Sequence, residues 1–590
     1  MRLPLSRVSA ILVLVSLLKG GLNAVALEVS VRPVAGDLRV STDTLFANEA
    51  GEQWSVTRLS YLLSEPALQR PDGSWHPCET APAWMSLTDA RSLWDITSAP
   101  TGEWTAIRFS VGLPPSLNER DPAFWGPFHP LNPNLNGLHW SWQGGFIFLA
   151  FEGRFWKKGD DPARASGFAY HLARENFRTT VTVPMKFHTL AGGRVRLSLD
   201  LDIARILDGG KTVSFVRDGS STHSKEGDPL AAALHENLGR AFRPAVANDD
   251  RTDRPIAPQA NPGRGSILGE WSPPESFPRP SLPADLEMST ARVTLGRQLF
   301  HETSLSRSDS LSCASCHLAD HGLSDPRPVS AGEQGRTGRR NAMPLFNLAW
   351  KPSFFWDGRT TSLREQVLDP IEDHRELDED LSKVVKKLEA DPLYRTRFSE
   401  AFGSDGISAD RMAVALETFL LSLVSHDSKF DRAQRGEAAL TDLEQRGFEL
   451  FMTEREPRSG QFGGDCFHCH GGTLFTDHQF RNNGLLIDAA DPGRGEVTGL
   501  ALDQGTFSTP SLRNVALTAP YMHDGRFATL EEVVDHYSVG IRRTKTLDPN
   551  LAKHPDGGLG LSEEEKTALV AFLRALTDDR FAKEAFAGED

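Results

Sequence analysis

Beyond its first 26 residues the chain has no apolar run of bilayer-spanning length, so no helical membrane span is expected there. Positive charge is in short supply as well: 64 Lys and Arg stand against 79 Asp and Glu, a formal net charge of −15. That balance argues against a broad basic footprint for nucleic acid or an anionic membrane surface. Cysteine is scarce. Four of the five fall in two C-x-x-C-H pentapeptides, at 313–317 and 466–470, which is not a disulfide framework. Cys78 is left over and reads as a small buried thiol. Proteins and small molecules remain as partners, for a chain whose 590 residues exceed one core and predict a multidomain protein.

The opening MRLPLSRVSAILVLVSLLKGGLNAVALEVS has Arg2 and Arg7, an apolar stretch over 8–18 and the small-x-small site Ala24-Val25-Ala26. It predicts a secretory signal peptide over 1–26 and an exported, periplasmic protein. From 27 to 243 alternating runs such as RVRLSLDLDI, broken by Gly, Pro and Asn turns, predict an antiparallel β-sandwich or barrel. Prolines crowd 244–284, the composition of a linker. The remainder reads as mainly α, with Ser562 and Glu565 spaced as a capping box. An internal echo divides it: LGRQLF precedes Cys313 and RGFELF precedes Cys466, and each motif is followed by a similar segment, GLSD or TLFTD. Two tandem haem-sized units are expected, over 285–435 and 436–590.

Two thiols spaced for the two vinyl groups of a haem, with a histidine directly after them to ligate iron, are what C-x-x-C-H supplies. Zinc would want a fourth ligand near each motif, and a thioredoxin-like pair would need no histidine and would prefer a βαβ context that is absent here. The expected cofactors are thus two covalent haems c, held by Cys313, Cys316 and His317 and by Cys466, Cys469 and His470. His468, inside CFHCH, reads as a spacer.

Residues 285–580 resemble the di-haem bacterial cytochrome c peroxidase and MauG family, through RRNAMPLFNLAWKPSFFWDGRTTSLREQVLDPIEDHRE and STPSLRNVALTAPYMHDGRFATLEEVVDHYSVG as well as the haem motifs. The resemblance implies a peroxidase-type oxidoreductase acting on hydrogen peroxide. It places Trp356 between the haems and Gln366, Pro370 and Glu376 over the open iron of the first. It also implies a calcium site at Asn341, Thr518 and Pro520, whose hard oxygen donors suit that ion. Where the family's peroxidases carry a removable distal histidine, this chain has Glu333, and no histidine lies between His321 and His374. The second haem's distal ligand has two candidates: Met522 by analogy with small cytochromes, and Tyr537, which matches MauG-like members. The tryptophan that MauG places before its second haem motif is missing.

In the N-terminal region, VTRLSYLLSEPALQRPDGSW, FHPLNPNLNGLHWSWQGGFIFLAFEG and AYHLARENF resemble the copper-binding MbnP family, whose members are partners of a MauG-like enzyme that converts a tryptophan to kynurenine. The resemblance implies that enzyme and protein substrate are fused here, with Trp140 or Trp142 as the modified residue. Imidazoles suit copper, and His129, His139, His171 and His223 are the candidate ligands. Two other outcomes stay open on sequence: a peroxidase that detoxifies peroxide with electrons from a small redox protein, and a non-enzymatic electron-transfer or copper-binding protein.

Overall fold

A computed structural model describes residues 25–245 and 272–582, apart from short stretches at 43, 127–128, 141–144, 158, 160–164, 191–192, 275, 281, 284, 405, 456–461, 486–490 and 556. Trp142, most of the expected signal peptide and most of the proline-rich segment lie outside the described residues. Two compact units emerge. One holds residues up to 122 with 129–258, the other 123–128 with everything from 259.

The first unit is a sandwich of two open sheets, one of five strands and one of nine, and the alternative of a closed barrel is not what forms. Strand alternation explains the core. Leu27, Val29 and Val31 from Val25–Ala35 and Leu197, Leu199 and Leu201 from Arg194–Asp202 turn to one face, where they meet Trp54, Leu59, Phe109 and Phe151 of the larger sheet. Trp94 crosses the sheet interface edge-on to Phe109. Pairing is antiparallel throughout the larger part of both sheets, but two pairs run parallel: Val25–Ala35 with Arg194–Asp202, and Ser166–Ala173 with Ser221–Thr222. Each parallel pair joins strands distant in sequence, where no hairpin dictates direction.

The second unit is built on a repeated helix crossing. Helix Thr290–His301 packs on Ala409–Ser422, and helix Asp442–Phe451 packs on Glu563–Ala575. At the first crossing a Cβ on Gly296 would lie 1.9 Å from the Ala415 carbonyl oxygen and 2.7 Å from Phe419 Cβ; at the second, one on Gly447 would lie 1.9 Å from the Ala568 carbonyl oxygen and 2.8 Å from Phe572 Cβ. The glycines of the LGRQLF and RGFELF echoes are thus the contact points of two equivalent crossings. The predicted capping box forms: Ser562 Oγ accepts from Glu565 N at 3.2 Å, and Glu565 Oε2 accepts from Ser562 N at 2.9 Å. Among the described residues no helix is long and apolar enough to cross a membrane.

Candidate functional site

The first C-x-x-C-H motif folds as a tight turn in which His317 N donates to the Cys313 carbonyl at 3.0 Å. Its imidazole Nδ1–H donates to the Leu323 carbonyl at 2.9 Å, which leaves the Nε2 lone pair for a metal. Burial pushes the His317 pKa down and keeps the ring neutral. The motif opens on a cavity of about 650 Å³ lined by Cys313, Cys316 and His317 on one hand and by Trp356, Gln366, Pro370 and Glu376 on the other. Its size is that of a cofactor pocket, and two thiols, a neutral imidazole and a largely apolar wall fit a covalent haem.

Glu376 is one of several ionisable side chains that line this cavity. Burial, reinforced by Asp373 and opposed by Arg359, raises its carboxyl to about 7. Glu333 is turned elsewhere. Its carboxylate accepts from Ser308 Oγ at 2.6 Å and Ser308 N at 3.1 Å, while its backbone N–H donates to the Glu376 carbonyl at 2.8 Å. The loop is thereby fastened beside Glu376, and Gly332, rather than Glu333, lines the cavity. Lys351, unremarked in the sequence, also lines it: burial lowers its amine to about 8, and Nζ lies 3.4 Å from Met343 Sδ.

The second motif repeats the arrangement. His470 Nδ1–H donates to the Phe475 carbonyl at 3.1 Å, and burial pushes the ring's pKa down. Leu323 and Phe475 sit in the GLSD and TLFTD echoes, so those segments hold the two histidines by backbone carbonyls. Met522 and Tyr537 meet at one residue: Asn483 Nδ2 donates to Met522 Sδ at 3.3 Å and to Tyr537 Oη at 3.5 Å. Tyr537 lies in a π-turn, His536–Gly540, a form that recurs at functional sites. Burial raises its phenol, opposed by the hydrogen bond from Asn483. His468 is tied to the motif's own flank, its Nδ1 2.8 Å from Asp465 Oδ1. Asp465 is buried, and the cost of burial is overcome by Lys553, His468 and His554, which hold its carboxyl well below the usual range.

Trp356 bridges the segments around residues 341 and 508 of the second unit. Its indole Nε1 donates to the Asn341 carbonyl at 2.9 Å, and its own carbonyl accepts from Ser508 N at 2.8 Å. The flanking residues add a buried ion cluster, in which Arg340 bridges Asp357 at 2.6 Å and Asp491 at 2.7 Å. The three residues expected at calcium lie on loops that converge: Asn341 N donates to the His523 carbonyl at 2.8 Å, and Gly322 packs on Thr518. Among the described residues no hydrogen bond reaches the carbonyls of Thr518 or Pro520, which suits them to a hard cation. The Asn341 amide nitrogen donates to the carbonyls of Arg327 and Pro328 at 3.1 and 3.2 Å.

In the N-terminal unit three of the expected residues come together. The ring centroids of His171 and His223 are 4.9 Å apart, and the Trp140 ring lies 5.7 Å from His223 and 6.3 Å from His171. His139 packs on Phe146 at 4.7 Å instead, its pKa lowered to about 4 by burial, and His129 Nδ1 accepts from Leu131 N. Two partners escaped sequence reading: Glu152 Oε1 is 2.9 Å from His171 Nε2 and 3.0 Å from Arg58 Nη1.

Residues 290–439 match the family profile described as di-haem cytochrome c peroxidase, and residues 24–224 match that of MbnP. The methylamine utilization protein MauG of Methylophilus methylotrophus is 36% identical over 316 residues, 52% of this chain and 90% of that protein. Cytochrome c551 peroxidase of Nitrosomonas europaea is 33% identical over 292 residues, 48% of this chain and 80% of that protein. A solved MauG-like protein associated with microbial copper homeostasis is 35% identical, covering 54% of this chain and 98% of its own, with a TM-score of 0.49. With relatives matched over most of their length and a cavity built around its first haem motif, the chain belongs to the di-haem cytochrome c peroxidase and MauG family, a peroxidase-type oxidoreductase that carries an MbnP-type domain at its N-terminal side.

Proposed function

We propose that this is an exported, periplasmic enzyme that uses hydrogen peroxide to oxidise a protein substrate, Trp140 of its own N-terminal domain, to kynurenine at a copper site formed by His171 and His223. The observation that carries this reading is the packing of Trp140 against that histidine pair in a chain whose other half is a di-haem peroxidase. Imidazoles suit copper, and of the four candidate histidines His171 and His223 are the two whose rings face each other beside Trp140.

Two haems c, on Cys313, Cys316 and His317 and on Cys466, Cys469 and His470, supply the iron redox chemistry with peroxide. Glu376 takes the proton from one peroxide oxygen and delivers it to the other, so that the O–O bond breaks with water as leaving group; a raised pKa near 7 lets one carboxyl do both. Gln366 and Pro370 shape the wall beside it. Trp356, fixed by the Asn341 carbonyl, would couple the two haem sites, and Tyr537 would ligate the second iron, with Met522 as the competing donor. Asn341, Thr518 and Pro520 would hold calcium beside the Asn341 carbonyl that receives the Trp356 indole.

Formation of kynurenine needs two peroxides. Four electrons leave the indole, two oxygens are inserted across its C2–C3 bond, the peroxides are reduced to water, and hydrolysis releases the C2 carbon as formate. Peptide mass spectrometry after peroxide treatment tests this: the Trp140 peptide should gain about 4 Da, the mass of one oxygen less one carbon. Trp140 and Trp142 both unmodified in copper-free and copper-loaded protein, with peroxide still consumed, would return the chain to plain peroxide detoxification.

A further inference from the structure

Arg58, Glu152 and His171 lie on three adjacent strands of the larger sheet, Gln53–Gln69, Ile147–Trp156 and Ser166–Ala173. Register brings them together: Arg58 faces Glu152 directly, and His171, paired with Ala150, is the diagonal neighbour of Glu152 on the same face. A single oxygen, Glu152 Oε1, lies 3.0 Å from Arg58 Nη1 and 2.9 Å from His171 Nε2. The other arm of the guanidinium, Nη2, donates to the Gly137 carbonyl at 3.0 Å, three residues before Trp140. On the far side His223 follows directly on strand Ser221–Thr222, which pairs with Ser166–Ala173.

We propose that Glu152, anchored by Arg58, is a positioning residue that holds the Nε2 proton of His171, making Nδ1 the metal-facing atom of that ring and setting the ring against Trp140. This rests on the reading of His171 and His223 as copper ligands. A carboxylate accepts only, so an imidazole nitrogen that hydrogen-bonds to it carries the proton and the lone pair falls to the other nitrogen. Arg58 balances the carboxylate charge, so the imidazole stays neutral and its donor strength is raised without adding net charge beside the metal. The same guanidinium ties the Gly137 carbonyl, which couples the loop carrying Trp140 to the strand carrying His171. Metal ligand and oxidised residue are thus registered by one arginine fork.

The test is anaerobic competition for Cu(I) against a chromophoric chelator, on full-length di-haem protein. Glu152→Ala should weaken copper binding by about 10–100-fold, whereas Glu152→Gln, whose amide oxygen still accepts from Nε2, should stay close to wild type. Glu152→Ala binding as tightly as wild type, while His171→Ala loses copper, overturns the proposal. If His171→Ala and His223→Ala both bind like wild type, it is the copper reading that fails, and the positioning role with it. Should Glu152→Ala not fold, electron spin echo spectra of the Cu(II)-loaded wild type and Glu152→Gln decide. The remote ring nitrogen reports its hydrogen bond, so its quadrupole frequencies should shift between carboxylate and amide acceptors, and identical spectra overturn the role of Glu152.

Discussion

Glu376 combines a half-buried position in the cavity beside the first haem motif with a pKa raised to about 7. To accept a proton from peroxide it must first lose its own, so the protonated form that burial favours is the inactive one. The rate constant kcat/KM for peroxide should therefore rise with pH through an inflection near 7 and level off above it. Glu376→Gln should abolish that limb and lower the rate by roughly 10²–10⁴-fold; a mutant profile with the same inflection would move the titrating group elsewhere. Tyr537 and Met522 pose the second question at this scale, because Asn483 touches both. Tyr537→Phe should change the absorption and EPR spectra of the second haem, and spectra identical to wild type would hand the ligand role to Met522. Axial ligand identity is a principal lever on haem potential, so the answer also bears on how strongly the second iron is held oxidised.

The helix crossings make the second unit depend on two glycines. Alanine at 447 would place a methyl 1.9 Å from the Ala568 carbonyl oxygen and 2.6 Å from its carbon, backbone atoms that no side-chain rotation can move away. Overpacking of this kind costs about 1–3 kcal/mol, against a gain of up to about 1 kcal/mol from helix propensity. Gly447→Ala should thus lower the calorimetric Tm of the haem unit, and an unchanged or raised Tm would mean that the two helices do not meet at this glycine. The crossings also mark what could be read from sequence. The C-x-x-C-H motifs, the LGRQLF and RGFELF echoes and the Ser562–Glu565 box are local, with function and spacing contained within a few residues. Arg58 and Glu152 are 94 positions apart and are joined only by strand register, while the supports of His317 and His470 are backbone carbonyls, which have no side-chain signature. The pairing of Val25–Ala35 with Arg194–Asp202 was hidden for the same reason: alternation marks a strand's buried face but names no partner and no direction. Among four candidate copper histidines the sequence offered no ranking, and only the fold set His171 and His223 beside Trp140.

At the scale of the whole molecule, the feature that separates this chain from the relatives it matches over half its length is that the haem unit and the MbnP-type domain share one polypeptide. With Trp140 as the proposed substrate, fusion would fix the ratio of oxidant to substrate at one to one and would allow their encounter within one molecule, at a rate set by an effective rather than a bulk concentration. Each chain holds one Trp140, so its oxidation as proposed would be a maturation event that happens once and does not turn over. If oxidation is intramolecular, the first-order rate constant for loss of Trp140 at saturating peroxide should be the same at every protein concentration. Transfer between separate copies would instead make it fall in proportion as the protein is diluted. Mixing sharpens the distinction: an isotopically labelled Glu376→Gln chain, with its Trp140 intact, is combined with unlabelled active chain and peroxide is added. Intramolecular transfer leaves the labelled tryptophan unmodified while the unlabelled one is consumed, and modification of the labelled peptide at a comparable rate would show that one copy serves as the substrate of another.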